Sequence, residues 1–185
     1  MSEFLYKIIQ KVSWKKLIIL TLLFAVFYIL INFSAIGVAE LLRITDGANI
    51  LDFEFGYTYE EAHNMLTALG TEGREFYLTR IMPLDYPFPF TYMLFYAGFI
   101  AFLLKHITSQ KRYGYLLFIP LLAMLCDWIE NIGIITMLNT YPNLPEWSVL
   151  LASIMGMLKT VFTIGSIIII LGLLIIFAYS KLRGK

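Results

Sequence analysis

Three side chains able to carry charge or move protons, Asp127, Glu130 and Lys159, stand with Asn131 inside two long apolar stretches of this 185-residue chain. Ionisable groups at such positions each cost roughly 2.5–3.5 kcal/mol on membrane-insertion scales, and they mark functional sites by default. Spacing groups them further. Asp127, Glu130, Asn131 and Ile134 fall at i, i+3, i+4 and i+7, so one helix face carries all three polar groups. Lys159 belongs to a stripe of Ala152, Gly156, Lys159, Thr163 and Ser166, whose small members allow two helices to approach closely.

At about 1.5 Å per residue, Asp127 lies about 16 Å from Leu138 and Lys159 about 18 Å from Trp147, the ends nearest the connection between the two stretches. Matched depth predicts that Lys159 pairs with Asp127 and that the second carboxyl is surplus. Three roles fit such a cluster. It would hold the polar head of a lipid-like or amphipathic molecule. It would run acid/base chemistry, with the catalytic candidates Asp127 or Glu130 as general acid or base and Lys159 stabilising developing negative charge, as in a proton-shifting isomerisation. Or it would staple two helices, since losing one partner of a buried ion pair costs ~3–5 kcal/mol while joint apolar replacement is often tolerated. One acid suffices to balance Lys159, so the second favours a function beyond stapling.

Aromatic residues extend the candidate site. Tyr92, Phe95, Tyr96, Phe99 and Phe102 form a dense face on another stretch, and Tyr28 with Asn32 sets polar groups at i and i+4 on the first. The expected ligand-binding set is Tyr92, Tyr96, Asp127, Glu130, Asn131 and Lys159, lining an amphipathic pocket. The plain alternative for the aromatic face is packing or an interfacial belt. Glu60, Glu61, His63 and Asn64 lack a second histidine at ligand spacing, so they read as a solvated helix face and no metal is expected. Neither is a cofactor, because no phosphate loop, zinc signature or serine-histidine pattern is present.

The elements that position these groups follow from composition. Hydrophobic residues make up 59% of the chain, above the ~45–50% of ordinary soluble domains, and the excess lies in membrane-length runs. The expected fold is an all-α integral membrane protein: a four-helix transmembrane bundle in one domain, with spans at about 17–41, 88–104, 113–138 and 147–179. Lys15 and Lys16 ahead of the first run, with Gly37, Val38 and Ala39 behind it, mimic a cleavable signal. The run exceeds the ~7–15 residues of a signal core and reads as a retained helix.

Lys7, Lys11, Lys15 and Lys16 precede the first span, Lys105, Lys111 and Arg112 follow the second, and Lys181, Arg183 and Lys185 follow the fourth. Only Arg43, Arg74 and Arg80 fall on the other side, so both termini are expected to be cytoplasmic. The segment at about 42–87 is then extracytoplasmic and partly helical. Thr58 and Glu61 have capping-box spacing ahead of Ala62, Met65, Leu66 and Leu69, a helix ending near Gly70. A second helix is expected over 71–82, stopped by Pro83, and Leu51, Phe53 and Phe55 alternate with Asp52 and Glu54 as a short extended piece. Arg74 and Arg80 are expected either at lipid phosphates or paired with Glu72, Glu75 or Asp85. A net charge of +1 leaves no basic surface for nucleic acid. The lone Cys126 reads as a small buried hydrophobe and excludes an internal disulfide. Expected partners are membrane lipid, an amphipathic small molecule, and a second copy or a larger membrane complex.

Overall fold

The structure, a computed structural model, describes residues 3–107 and 113–183; the expected flanking charges Lys111, Arg112 and Lys185 lie outside the described residues. Among the described residues every regular element is helical. Four helical stretches are long and apolar enough to cross a membrane: Trp14–Ile44, Gly70–Lys105, Gly114–Thr140 and Glu146–Leu182.

A short amphipathic helix, α1 (Glu3–Lys11), buries Ile9 against the end of the second stretch. Lys105 ties it there by donating to the carbonyls of Gln10 and Val12, both at 2.9 Å. The first stretch is not the unbroken helix its apolar run suggests. Ser13 caps α2 (Trp14–Phe33), Ser34 folds its hydroxyl back onto the Leu30 carbonyl, and the chain turns before α3 (Val38–Ile44). At Gly37 a Cβ would collide with the carbonyl oxygens of Leu30 and Ile31. The turn sends Val38 and Leu41 inward.

Residues 51–55 are also not extended. Leu51–Phe53 forms one 3₁₀ turn, closed by Phe53 N–H to Ile50 C=O and Glu54 N–H to Leu51 C=O. With no neighbouring strand to receive a ladder, local bonds satisfy the backbone instead. Leu51 is buried, Phe53 and Phe55 are exposed, and the Asp52 carboxyl faces the interior.

The capping box opens α4 (Tyr59–Ala68): Thr58 N–H donates to Glu61 Oε2 at 2.7 Å and Glu61 N–H returns to Thr58 Oγ1 at 3.2 Å. The Thr58 N–H and hydroxyl, which both donate to Glu61 Oε2, hold the Glu61 carboxyl below its ordinary value. Gly70, at φ +64°, makes the bend into α5 (Gly70–Phe76). Pro83 does not stop the helix that follows. A π-helical turn at Tyr77–Ile81 intervenes, and Pro83 then occupies the first turn of α6 (Met82–Asp85), where its missing N–H has no partner to lose. The helix α7 (Phe88–Lys105) continues the second stretch.

After a 3₁₀ turn at Gly114–Leu117 come α8 (Phe118–Thr140) and α9 (Glu146–Leu182). These two pack most extensively, through Gly133, Ala152 and Gly156: a Cβ at Gly133 would overlap Ala152, and one at Gly156 would overlap Glu130. In turn α7 packs on α8 and α9, and α2 packs on α7. Between α2 and α9 packing is sparse, so the bundle stays open along that seam. The largest core cluster lies at the α4 end and draws on α3, α4, the π turn, α8 and α9; a smaller one, with α1, closes the opposite end.

Candidate functional site

All three polar groups of the α8 face are interior: Asp127, Glu130 and Asn131 are 3%, 0% and 2% exposed. The Lys159 ammonium, however, does not bond to Asp127. It lies 2.6 Å from Glu130 Oε2 and 3.8 Å from Asp52 Oδ1. Equal Cα depth was a poor guide because side chains lean toward the N-terminus of their own helix. In antiparallel α8 and α9, Lys159 leans toward the α4 end while Asp127 leans away from it. The acid that meets the lysine is thus Glu130, one turn further along α8. Gly156, one turn before Lys159, leaves the room the Glu130 carboxyl occupies.

Asp127 is held by neutral donors. Tyr92 O–H donates to its Oδ2 at 2.9 Å, and Asn131 Nδ2 reaches its Oδ1 at 3.4 Å and Asp85 Oδ2 at 2.7 Å. Asp85 and Asp52 are site residues that the sequence reading missed. Asp85, 7% exposed, sits where the π turn and α6 deliver it beneath Asn131. Asp52 accepts a short hydrogen bond from the buried Tyr77 hydroxyl and faces Lys159. Both acids were legible only as members of an outer segment. Arg74, expected at lipid phosphates or paired with Glu72, Glu75 or Asp85, lies over the Tyr141 ring at 3.9 Å and donates to the Leu66 carbonyl at 2.7 Å. Tyr57 joins the same interior: its N–H donates to Ser153 Oγ at 2.8 Å. Burial, with Glu130 and Asp52 nearby, pushes its phenol well above the ordinary value.

A cavity of about 310 Å³ opens beside this network. Its polar wall is Asp52, Asp85, Asp127 and Lys159, with Tyr92 and Tyr96; its apolar wall includes Phe24, Ile31, Phe88 and Ile164. Glu130 and Asn131 are not among the lining residues. They stand behind, Glu130 bracing Lys159 and Asn131 bridging Asp85 and Asp127. The cavity lining also takes Tyr28 and Asn32 from α2 and Thr160, Thr163 and Ile164 from α9, two helices whose mutual packing is sparse. Tyr28, Phe53 and Ile164 on its rim are 45%, 55% and 51% exposed.

The aromatic stripe divides between two tasks. Phe95 stacks on Phe24 with ring centroids 4.6 Å apart, and Phe88 meets Tyr92 edge-on at 5.6 Å, which sets Tyr92 and Tyr96 along the cavity. His63 packs against the Tyr141 ring, and among the described residues no three His, Cys, Asp or Glu side chains form a group able to hold a metal. Comparison with known families, curated proteins and solved structures finds no match. The class defined here is therefore structural: among the described residues, an all-helical chain with four helices of membrane-crossing length and a polar-walled cavity.

Proposed function

We propose that this is an integral membrane protein, with both termini cytoplasmic, that binds a lipid-like or amphipathic ligand entering sideways between α2 and α9. The observation that carries the reading is the cavity itself. A dry, close-packed bundle would need only the Lys159–Glu130 pair to staple α8 to α9. Here three further acids surround a space of ligand size, at the low end of the roughly 300–1,000 Å³ typical of binding pockets. Its walls are aromatic on one side and acidic on the other, which suits a molecule with one polar end. A mouth facing the acyl-chain region admits such a molecule without its leaving the bilayer.

The chain of hydrogen bonds from Tyr92 through Asp127 and Asn131 to Asp85 favours a second reading, an intramembrane acid/base catalyst with Asp127 as the proton-transferring group. Native mass spectrometry with lipid identification separates the cases. Wild-type protein is expected to carry a bound amphiphile, and Thr163→Trp, which fills the cavity from α9, to lose it. Equal occupancy in both proteins removes the pocket as the binding site. Recovery of a chemically altered ligand supports catalysis.

A further inference from the structure

The distribution of charge around the cavity goes further than its shape. Of the four polar residues on its acidic wall, Lys159 is already engaged by Glu130 at 2.6 Å and by Asp52 at 3.8 Å. Among the described residues Asp85 and Asp127 accept hydrogen bonds only from the neutral donors Asn131 and Tyr92, and they share the single Lys159 charge with Glu130 and Asp52. Among the described residues no second lysine, arginine or histidine lines the space. Asp85 is more than nine-tenths buried, and its sole side-chain donor among the described residues occupies Oδ2, leaving Oδ1 unpartnered beside the cavity. Carboxyls in so apolar a setting call for a countercharge or further donors.

We infer that the ligand is an amphiphile whose head carries an ammonium group, an inference that rests on the ligand-binding function proposed above. An ammonium supplies a second positive charge to a group of four carboxyls that share Lys159, together with charged N–H donors for Asp85 and Asp127. Phe24, Phe88, Tyr92 and Tyr96 line the same space, and aromatic faces attract cations. A carboxylate or phosphate head would meet three acids and one ammonium that is already paired, and this repulsion would reject it. A neutral alcohol would donate one hydrogen bond and leave the charge uncompensated. The alkyl tail leaves between α2 and α9, past Tyr28 and Ile164.

The test uses the full chain in nanodiscs of zwitterionic lipid, titrated with dodecylamine, dodecanol and dodecanoate, which share a tail and differ in head charge. Occupancy is counted by native mass spectrometry and checked by the shift in thermal unfolding. Dodecylamine is expected to bind at one saturable site at least tenfold more tightly than either of the others. Asp127→Asn and Asp85→Asn should each weaken it about thirtyfold, the loss typical of removing one member of a buried charge pair. Two variants are used so that one failing to fold leaves the other decisive. Equal affinity for the three probes, preference for dodecanoate, or unchanged amine binding in the folded variants overturns the proposal. If Thr163→Trp still expels a co-purifying amphiphile while dodecylamine shows no preference, the ammonium head is wrong and the pocket stands. If Thr163→Trp changes nothing, both fall.

Discussion

At the scale of single residues, the site separates into a brace and a reactive wall. Glu130 and Lys159 form the brace, and with side chains only 1% and 15% exposed each depends on the other. Glu130→Ala should destabilise the protein by ~3–5 kcal/mol, because it removes the nearer of the two acids that hold the Lys159 ammonium, whereas Glu130→Gln with Lys159→Met should recover most of that loss. Unfolding by heat in detergent, compared across the single and double variants, reads the coupling directly; additive losses would mean the pair is not the brace. Gly156→Ala belongs to the same scale. Its new methyl would overlap the Glu130 carboxyl, within 2.5 Å of Oε1, and overpacking of this kind typically costs about 1–3 kcal/mol.

At the scale of elements, the α4 cap is held by a motif that can be taken apart. Thr58→Ala removes the acceptor for the Glu61 N–H and should lower stability by about 1 kcal/mol. The Glu61 carboxyl titrates below its ordinary value when folded. Its contribution is therefore complete above the unfolded pKa and is lost as pH falls through the folded one. The acid limb of the stability profile should flatten in Glu61→Gln; an unchanged limb would show that the box adds nothing there. The π turn at Tyr77–Ile81 has a larger consequence, because it carries Tyr77 to Asp52 and Asp85 to Asn131 in one element. A regular helix through Pro83 would rotate one of them out of the interior.

At the scale of the whole molecule, α1, the end of α7 and the end of α9 share one end of the bundle, as His106 against Phe177 and Lys105 against the α1 carbonyls show. With α4 at the other end, the proposed topology makes a sidedness prediction. In a Cys126→Ala background, a cysteine at Glu60 should react with an impermeant maleimide added outside intact cells, and one at Lys181 only after lysis. Labelling of both from one side would refute four crossings. The sparse seam between α2 and α9 is what makes the cavity reachable, and cross-linking those helices across Tyr28 and Ile164 should slow ligand exchange without unfolding the protein.

The length of the apolar runs determined the four membrane-length stretches, and local spacing determined the α4 cap with its Thr58–Glu61 box and the shared face of Asp127, Glu130 and Asn131, because these depend on contacts within one helix or one turn. Spacing also placed Lys159 on the face that meets α8, through the small residues beside it. Only the tertiary structure decided which acid the lysine meets, since side-chain lean in antiparallel helices moves charged heads apart although their backbones are level. It alone brought in Asp52 and Asp85. Their segment reads as a partly helical outer connection with a short extended piece, and their role comes from a 3₁₀ turn and a π turn that local spacing does not announce. The cavity is likewise a property of packing: it lies beside α2 and the last helix, whose mutual packing is sparse, a relation between elements far apart in the chain.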